Sequence, residues 1–254
     1  MPIFYLRRLT GRVRSSKADV HLGLSLAFIA GAMNAGGFLA VRQYTSHMTG
    51  IVSSMADGLA LGDIKFALAG LGALISFTVG SAFSEILINW GRSHNLESEY
   101  AFPLMLEAGL LLAFGALGKS LNDHIGLFVS ATVMLLCFIM GLQNAIITRI
   151  SNAVIRTTHV TGIVTDIGIE LGKMCYWNRS VDKEDAAYVR GNRSKIALLS
   201  SLLTMFFIGA VAGALGFSTF GFLTTIPLAL FLLVLAVMPV IDDLILLVKN
   251  ENRL

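Results

Sequence analysis

Long uncharged apolar runs alternate along the chain with short polar breaks. Val20–Val41, Phe66–Ser84 and Ile125–Thr148 contain no Asp, Glu, Lys or Arg, and each reaches about the 20 residues needed to cross a hydrocarbon core roughly 30 Å thick. Ile196–Ile241 is uncharged over 46 residues, enough for two crossings, with a turn expected between Gly213 and Gly221. Ala101–Gly118 is interrupted only by Glu107. The pattern predicts six long spans, over 20–41, 66–90, 101–118, 125–148, 196–215 and 222–244. Two further apolar stretches, 49–61 and 161–172, are shorter. At 1.5 Å per residue they extend about 18–20 Å, too little for a full crossing, so half-helices or re-entrant segments are expected.

A repeat is embedded in this pattern. Thr45-Ser-His-Met-Thr-Gly-Ile-Val52 returns as Thr157-Thr-His-Val-Thr-Gly-Ile-Val164, with six of eight positions identical. Upstream of each copy stands an Asn-Ala pair, Asn34-Ala35 and Asn144-Ala145. The offset is 112 for the octapeptide (157 − 45) and 110 for the pair (144 − 34). Each copy follows a long apolar run and opens a short one. Duplication with polar breaks at corresponding points is a pointer to a transporter-type binding site. The expected fold is an all-α polytopic membrane protein of two structural repeats, each of three long transmembrane helices plus one short half-helix. The organisation is then a basic N-terminus over 1–19, a first membrane repeat over 20–118, a second over 119–248 that includes a basic loop at 173–195, and a C-terminus at 249–254.

Charge orients the chain. Arg7, Arg8, Arg12, Arg14 and Lys17 precede the first run, and Lys173, Arg179, Lys183, Arg190, Arg193 and Lys195 crowd the long loop. The positive-inside bias places both, and the C-terminus, in the cytoplasm. If the short helices cross fully, the repeats are parallel; if they re-enter, the repeats are inverted. Re-entry puts Arg92, Arg149 and Arg156 inside and Lys65 and Lys119 outside, which the charge bias favours by three to two. The N-terminus imitates a secretory signal, yet its apolar run is far longer than a signal's 7–15 residues, so an uncleaved first span is expected.

Candidate chemistry clusters at the breaks. Thr49 and Gly50, and Thr161 and Gly162, stand at the starts of the short helices. A helix N-terminus carries unpaired N–H groups and a partial positive charge, so two such ends meeting in the membrane would cradle a polar solute, an anion best of all. Alternatively these small residues serve helix packing. His47 and His159 stand two residues before each Thr-Gly, to contact solute or to hold freed carbonyls. Asn34 and Asn144 must face the bundle interior, for interhelical bonding or for solute. Arg156 flanks a break with Arg42 and Arg149, as an anion partner or a snorkelling cation. Among acids in apolar surroundings, Glu107 and Asp166 are the proton-coupling candidates. Asp166 and Glu170 share a helix face and repel unless paired. Three GxxxG patterns, at Gly58–Gly62, Gly168–Gly172 and Gly209–Gly213, suggest close packing.

Mean hydropathy of +0.75 and 14% charged residues exclude an ordinary soluble domain. No cofactor is expected, nor a metal site: Cys137 and Cys175 fall in no metal-ligand spacing with histidine. No nucleophile–base arrangement points to an enzyme. The expected partners are the lipid bilayer and a small-molecule solute, not nucleic acid, with a homo-oligomer left open.

At Gly31-Ala-Met-Asn-Ala35 with Met48-Thr-Gly50, and at Gly141-Leu-Gln-Asn-Ala145 with Arg156-Thr-Thr158, Thr161-Gly162 and Asp166, the chain resembles the YoaK-like bacterial membrane family, a domain of unknown function. The likeness extends from about residue 20 to 245. It implies a polytopic bacterial inner-membrane protein and brings no substrate. The expected function is a small secondary transporter or permease for a polar solute. The alternative is a membrane scaffold or sensor working through loop 173–195, which carries Tyr176 and Trp177.

Overall fold

A computed structural model describes residues 7, 9–11, 15–118, 125–151, 155, 157–178 and 188–251. Among them every regular element is helical. In chain order these are α1 (Ser16–Val41), α2 (Met48–Ala60), α3 (Ile64–Ser93), α4 (Ala101–Leu117), α5 (Ile125–Ile150), α6 (Val160–Cys175), α7 (Arg193–Phe220) and α8 (Thr225–Glu251). A 3₁₀ turn, Gly221–Thr224, joins the last two; Gly221 opens it at φ 58°, a conformation glycine adopts without strain. Among the described residues, four helical stretches are long and apolar enough to cross a membrane: Ser16–Val41, Ile64–Ser93, Ala131–Ile150 and Arg193–Ile245. The last holds 53 residues and is folded in two at the 3₁₀ turn; Ala101–Leu117 is a shorter apolar helix. The two short elements have 13 residues in α2 and 16 in α6, or about 20 and 24 Å.

Polar residues set the helix starts. Ser15 Oγ accepts from the Ala18 N–H to cap α1. Asp63 and Asn192 cap α3 and α7 alike, each accepting a backbone N–H three residues on, at 3.0 Å. The basic loop expected at 173–195 is narrower than its charges suggest, because α6 runs to Cys175 and α7 begins at Arg193.

Glycines fix how the spans meet. On α1 and α7, Gly31 faces the Phe206 carbonyl, while Gly209 and Gly213 face those of Phe28 and Ala32. On α3 and α5, Gly80 faces the Phe138 carbonyl and Gly141 that of Phe77. A side chain at any of these glycines would overlap partner backbone, so only glycine permits the approach. Contact positions rise together along each pair, from Phe28–Gly209 to Gly36–Phe217 and from Gly72–Met134 to Glu85–Arg149, so α1 runs parallel to α7 and α3 parallel to α5. By contrast, Gly23 packs on Ile147 and Gly37 on Leu136, so α1 and α5 are antiparallel. The α4–α8 pair is antiparallel too: Gly115 meets Thr225, while the other end of α4 approaches Asp243.

Polar contacts gather the chain ends. Arg7 pairs with Asp242 at 2.6 Å, and Asp243 accepts the Glu97 and Ser98 backbone N–H groups at 2.9 Å. The segment around Arg7, the turn between α3 and α4 and the end of α8 therefore share one end of the bundle, the terminal end. The 3₁₀ turn and Gly118, which packs on Phe222, occupy the far end. Of the three GxxxG patterns, Gly209–Gly213 packs against a helix; Gly168 and Gly172 face open space, and Gly58 meets only the start of α3.

Candidate functional site

Both copies of the octapeptide meet at one cavity of about 1000 Å³. α1 and α5 each end in a polar break, and each break leads to the N-terminus of a short helix. The upstream asparagines shape these breaks. Asn34 Oδ1 accepts from Ser46 Oγ at 2.9 Å, and Asn144 Oδ1 accepts from Thr158 Oγ1 at 2.7 Å. Each amide thus binds the break after its own helix, which turns the chain back toward the bundle. Net, such bonds contribute about 0.5–1.5 kcal/mol each; their larger effect is geometric.

His47 and His159 occupy the cap positions of α2 and α6, and neither side chain caps the helix. No side chain among the described residues bonds the first-turn N–H groups, which leaves them to water or a ligand. Met48 and Thr49 from α2, and Val160 and Thr161 from α6, line the cavity beside both histidines. Gly50 and Gly162 do not line it. Each lies under its imidazole, His47 or His159, where a Cβ would collide with the ring. Their contribution is to seat the two rings at the cavity wall.

Asn34 and Asn144 line the same wall, with Phe77 from α3 and Phe206 from α7. Phe38 stacks on Tyr44 with ring centroids 4.6 Å apart, and both border the space. Lysine, arginine, aspartate and glutamate are absent from the described lining. The site thus offers amide, hydroxyl and imidazole groups, two helix N-termini and aromatic faces. The contribution of Ser46 and Thr158 escapes a search for identical residues, because the octapeptide copies differ there. Their shared hydroxyl was the available signal.

The other expected residues lie elsewhere. Arg156 falls outside the described residues. Glu107 is fully buried in α4, where its Oε1 accepts from Gln143 Nε2 at 2.9 Å. Its Oε2 and Gln143 Oε1 have no hydrogen-bond partner among the described residues. Asp166 sits on α6 away from the cavity, 3.6 Å from Lys195. The same Lys195 lies 3.7 Å from Glu170, so a lysine from α7 relieves the repulsion between the two acids. The Asn192 N–H, then Lys173, holds the Glu170 carboxyl below the usual carboxylate range. Arg149 Nε pairs with Glu85 Oε1 at 3.5 Å, joining α5 to α3. Tyr176 and Trp177 are exposed where the basic loop begins. Positions 179–187 of that loop are outside the described residues. Among those described, no cluster of His, Cys, Asp or Glu could hold a metal ion.

No curated protein and no solved structure matches the chain. Residues 22–238, which contain both asparagine-anchored breaks and both short helices, match the family described as protein of unknown function (DUF1275), and the chain belongs to that family.

Proposed function

We propose that the protein is a small secondary transporter or permease, embedded in a bacterial inner membrane with both termini cytoplasmic, that carries a polar solute through the cavity between two inverted repeats. One observation carries this: the duplicated breaks, 110 to 112 residues apart, line a single cavity with their helix N-termini. The directions of the helices support the inversion, since α1 and α5 are antiparallel and the turn before α4 shares the terminal end with Asp242 and Asp243. A first half of three crossings and one half-helix accounts for both. N–H groups and threonine hydroxyls suit an anion or a polyhydroxylated solute, and the aromatic faces suit its carbon skeleton. Glu107 is the proton-coupling group in this scheme. It bonds Gln143, which is adjacent in sequence to Asn144 of the cavity wall.

Two measurements test this. A cysteine at Ser93, in a variant lacking Cys137 and Cys175, should react with an impermeant maleimide only from the side of the N-terminus. Reaction from the opposite side would end the inverted-repeat scheme. A thermal-shift and proteoliposome-uptake screen of inorganic phosphate, sulfate, short carboxylates and polyols should find at least one solute that both stabilises the protein and is taken up. Gly50→Val or Gly162→Val, which displaces a histidine ring, should abolish that uptake while the protein remains inserted. Uptake unaffected in both variants would remove the half-helix ends from the site.

A further inference from the structure

The cavity wall is symmetric at its centre and asymmetric along its length. Asn34 and Asn144, His47 and His159, and Phe77 and Phe206 line it in corresponding pairs. Correspondence follows from the reciprocal glycine contacts. Gly31 on Phe206 matches Gly141 on Phe77, and Gly209 on Phe28 matches Gly80 on Phe138. These set offsets of 110 between α1 and α5 (141 − 31) and 129 between α3 and α7 (206 − 77).

Phe38 and its counterpart Thr148 both line the cavity as well, but part of the remaining wall breaks the symmetry in one direction. Leu39 on α1, with Ala210, Val211 and Ala214 on α7, lines the cavity toward the far end. Their counterparts toward the terminal end do not line it. For Leu39 the counterpart is Arg149 (39 + 110), and for Ala214 it is Glu85 (214 − 129). These two are the ion pair joining α5 to α3. One turn nearer the centre, Ser81, the counterpart of Ala210, donates to the Gly141 carbonyl at 3.0 Å. Where one face of the pseudo-symmetric pathway lines the cavity and is apolar, the matching face lies outside the lining and is tied by a salt bridge and a hydrogen bond.

We propose that Glu85 and Arg149 form the terminal-side gate of an alternating-access pathway, and that the structure is its far-side-open state. The inference rests on the transport reading. The repeats then exchange roles: Leu39 and Ala214 approach when Glu85 and Arg149 part. Side-chain exposures of 41% and 43% keep the pair weak enough to break, and its charges give the two halves unequal preferences for closing.

The test uses Val211→Cys as reporter in a variant lacking Cys137 and Cys175, with an impermeant maleimide applied to sealed vesicles of either orientation. Val211→Cys alone should label from the far side. Adding Glu85→Gln, or Arg149→Gln, should raise labelling from the terminal side roughly threefold and lower it from the far side, as loss of one exposed ion pair shifts a two-state balance. The double variant E85R/R149E should restore the starting pattern. Far-side labelling that neither single substitution alters overturns the gate and leaves the cavity standing. Labelling that rises on the terminal side without falling on the other marks a leak and also overturns it. A cysteine silent from both sides sinks the gate and the open cavity together.

Discussion

Gln143 and Asn144 are consecutive on α5 and, about 100° apart around it, serve different surroundings. Gln143 points into the packed interior, where it supplies the hydrogen bond that Glu107 receives, while Asn144 lines the cavity and holds Thr158. Burying a polar group is tolerable when it is bonded and costly when it loses its partner. Gln143→Leu therefore strands Glu107 and should lower stability by about 1–3 kcal/mol, read by thermal unfolding in detergent. Adding Glu107→Leu should recover much of that loss, because removing both partners leaves nothing unsatisfied; a double variant weaker than the single would refute the pairing argument. The Asn-Ala pair was visible in the sequence as a repeat, and so was the isolation of Glu107. That Gln143 is its partner was not visible, because the two stand 36 residues apart on different helices. Nor did the duplication of Thr-Gly reveal that the glycines seat histidine rings.

Among the elements, identical motifs have different surroundings. Gly141 and Gly168 are both helical glycines, yet a side chain at Gly141 meets the Phe77 carbonyl and one at Gly168 meets nothing. Gly141→Leu should force α3 and α5 apart and cost about 3 kcal/mol. Gly168→Leu should be neutral or slightly stabilising, since leucine favours helix over glycine. Thermal unfolding of the two variants checks the contrast. The α6–α7 junction makes a second case. Glu170 is held by the Asn192 N–H, Lys173 and Lys195, contacts that keep its carboxyl below the usual range. A carboxyl lowered by folding contributes its stability fully above the unfolded value, about 4.3 for glutamate. That contribution is lost as pH falls through the lower folded value. Glu170→Gln should accordingly flatten the melting temperature against pH below about pH 4.3. An unchanged acid slope would show that the junction does not depend on this carboxylate. The acids at 166 and 170 were legible as a repelling pair; the lysine that bridges them was not, because it arrives from the next helix.

At the scale of the molecule, apolar run length determined much by itself. It predicted helices within about four residues of α1, α3, α4 and α5, and of the starts of α7 and α8. The ends of α7 and α8, at Phe220 and Glu251, lie five and seven residues beyond the expected ones; α7 stays helical through the expected turn. A chain without water must satisfy its backbone internally, and run length sets how far a helix can reach. It also showed α2 and α6 to be short, and the repeat marked both breaks in advance. Helix direction was beyond it. Charge counts preferred inversion by three arginines against two lysines, whereas Asp243 binding the Glu97–Ser98 backbone places that turn beside the chain's C-terminal helix. Only the tertiary structure brought the two breaks to one cavity, and only it separated Leu39 and Ala214, which line that cavity, from Arg149 and Glu85, which pair outside its lining. The physical reason is the range of the interactions. Helix length and caps are set by neighbours within a turn or two, so sequence carries them. A shared cavity and an interhelical ion pair are set by contacts between helices far apart in the chain, whose approach depends on which glycine meets which carbonyl.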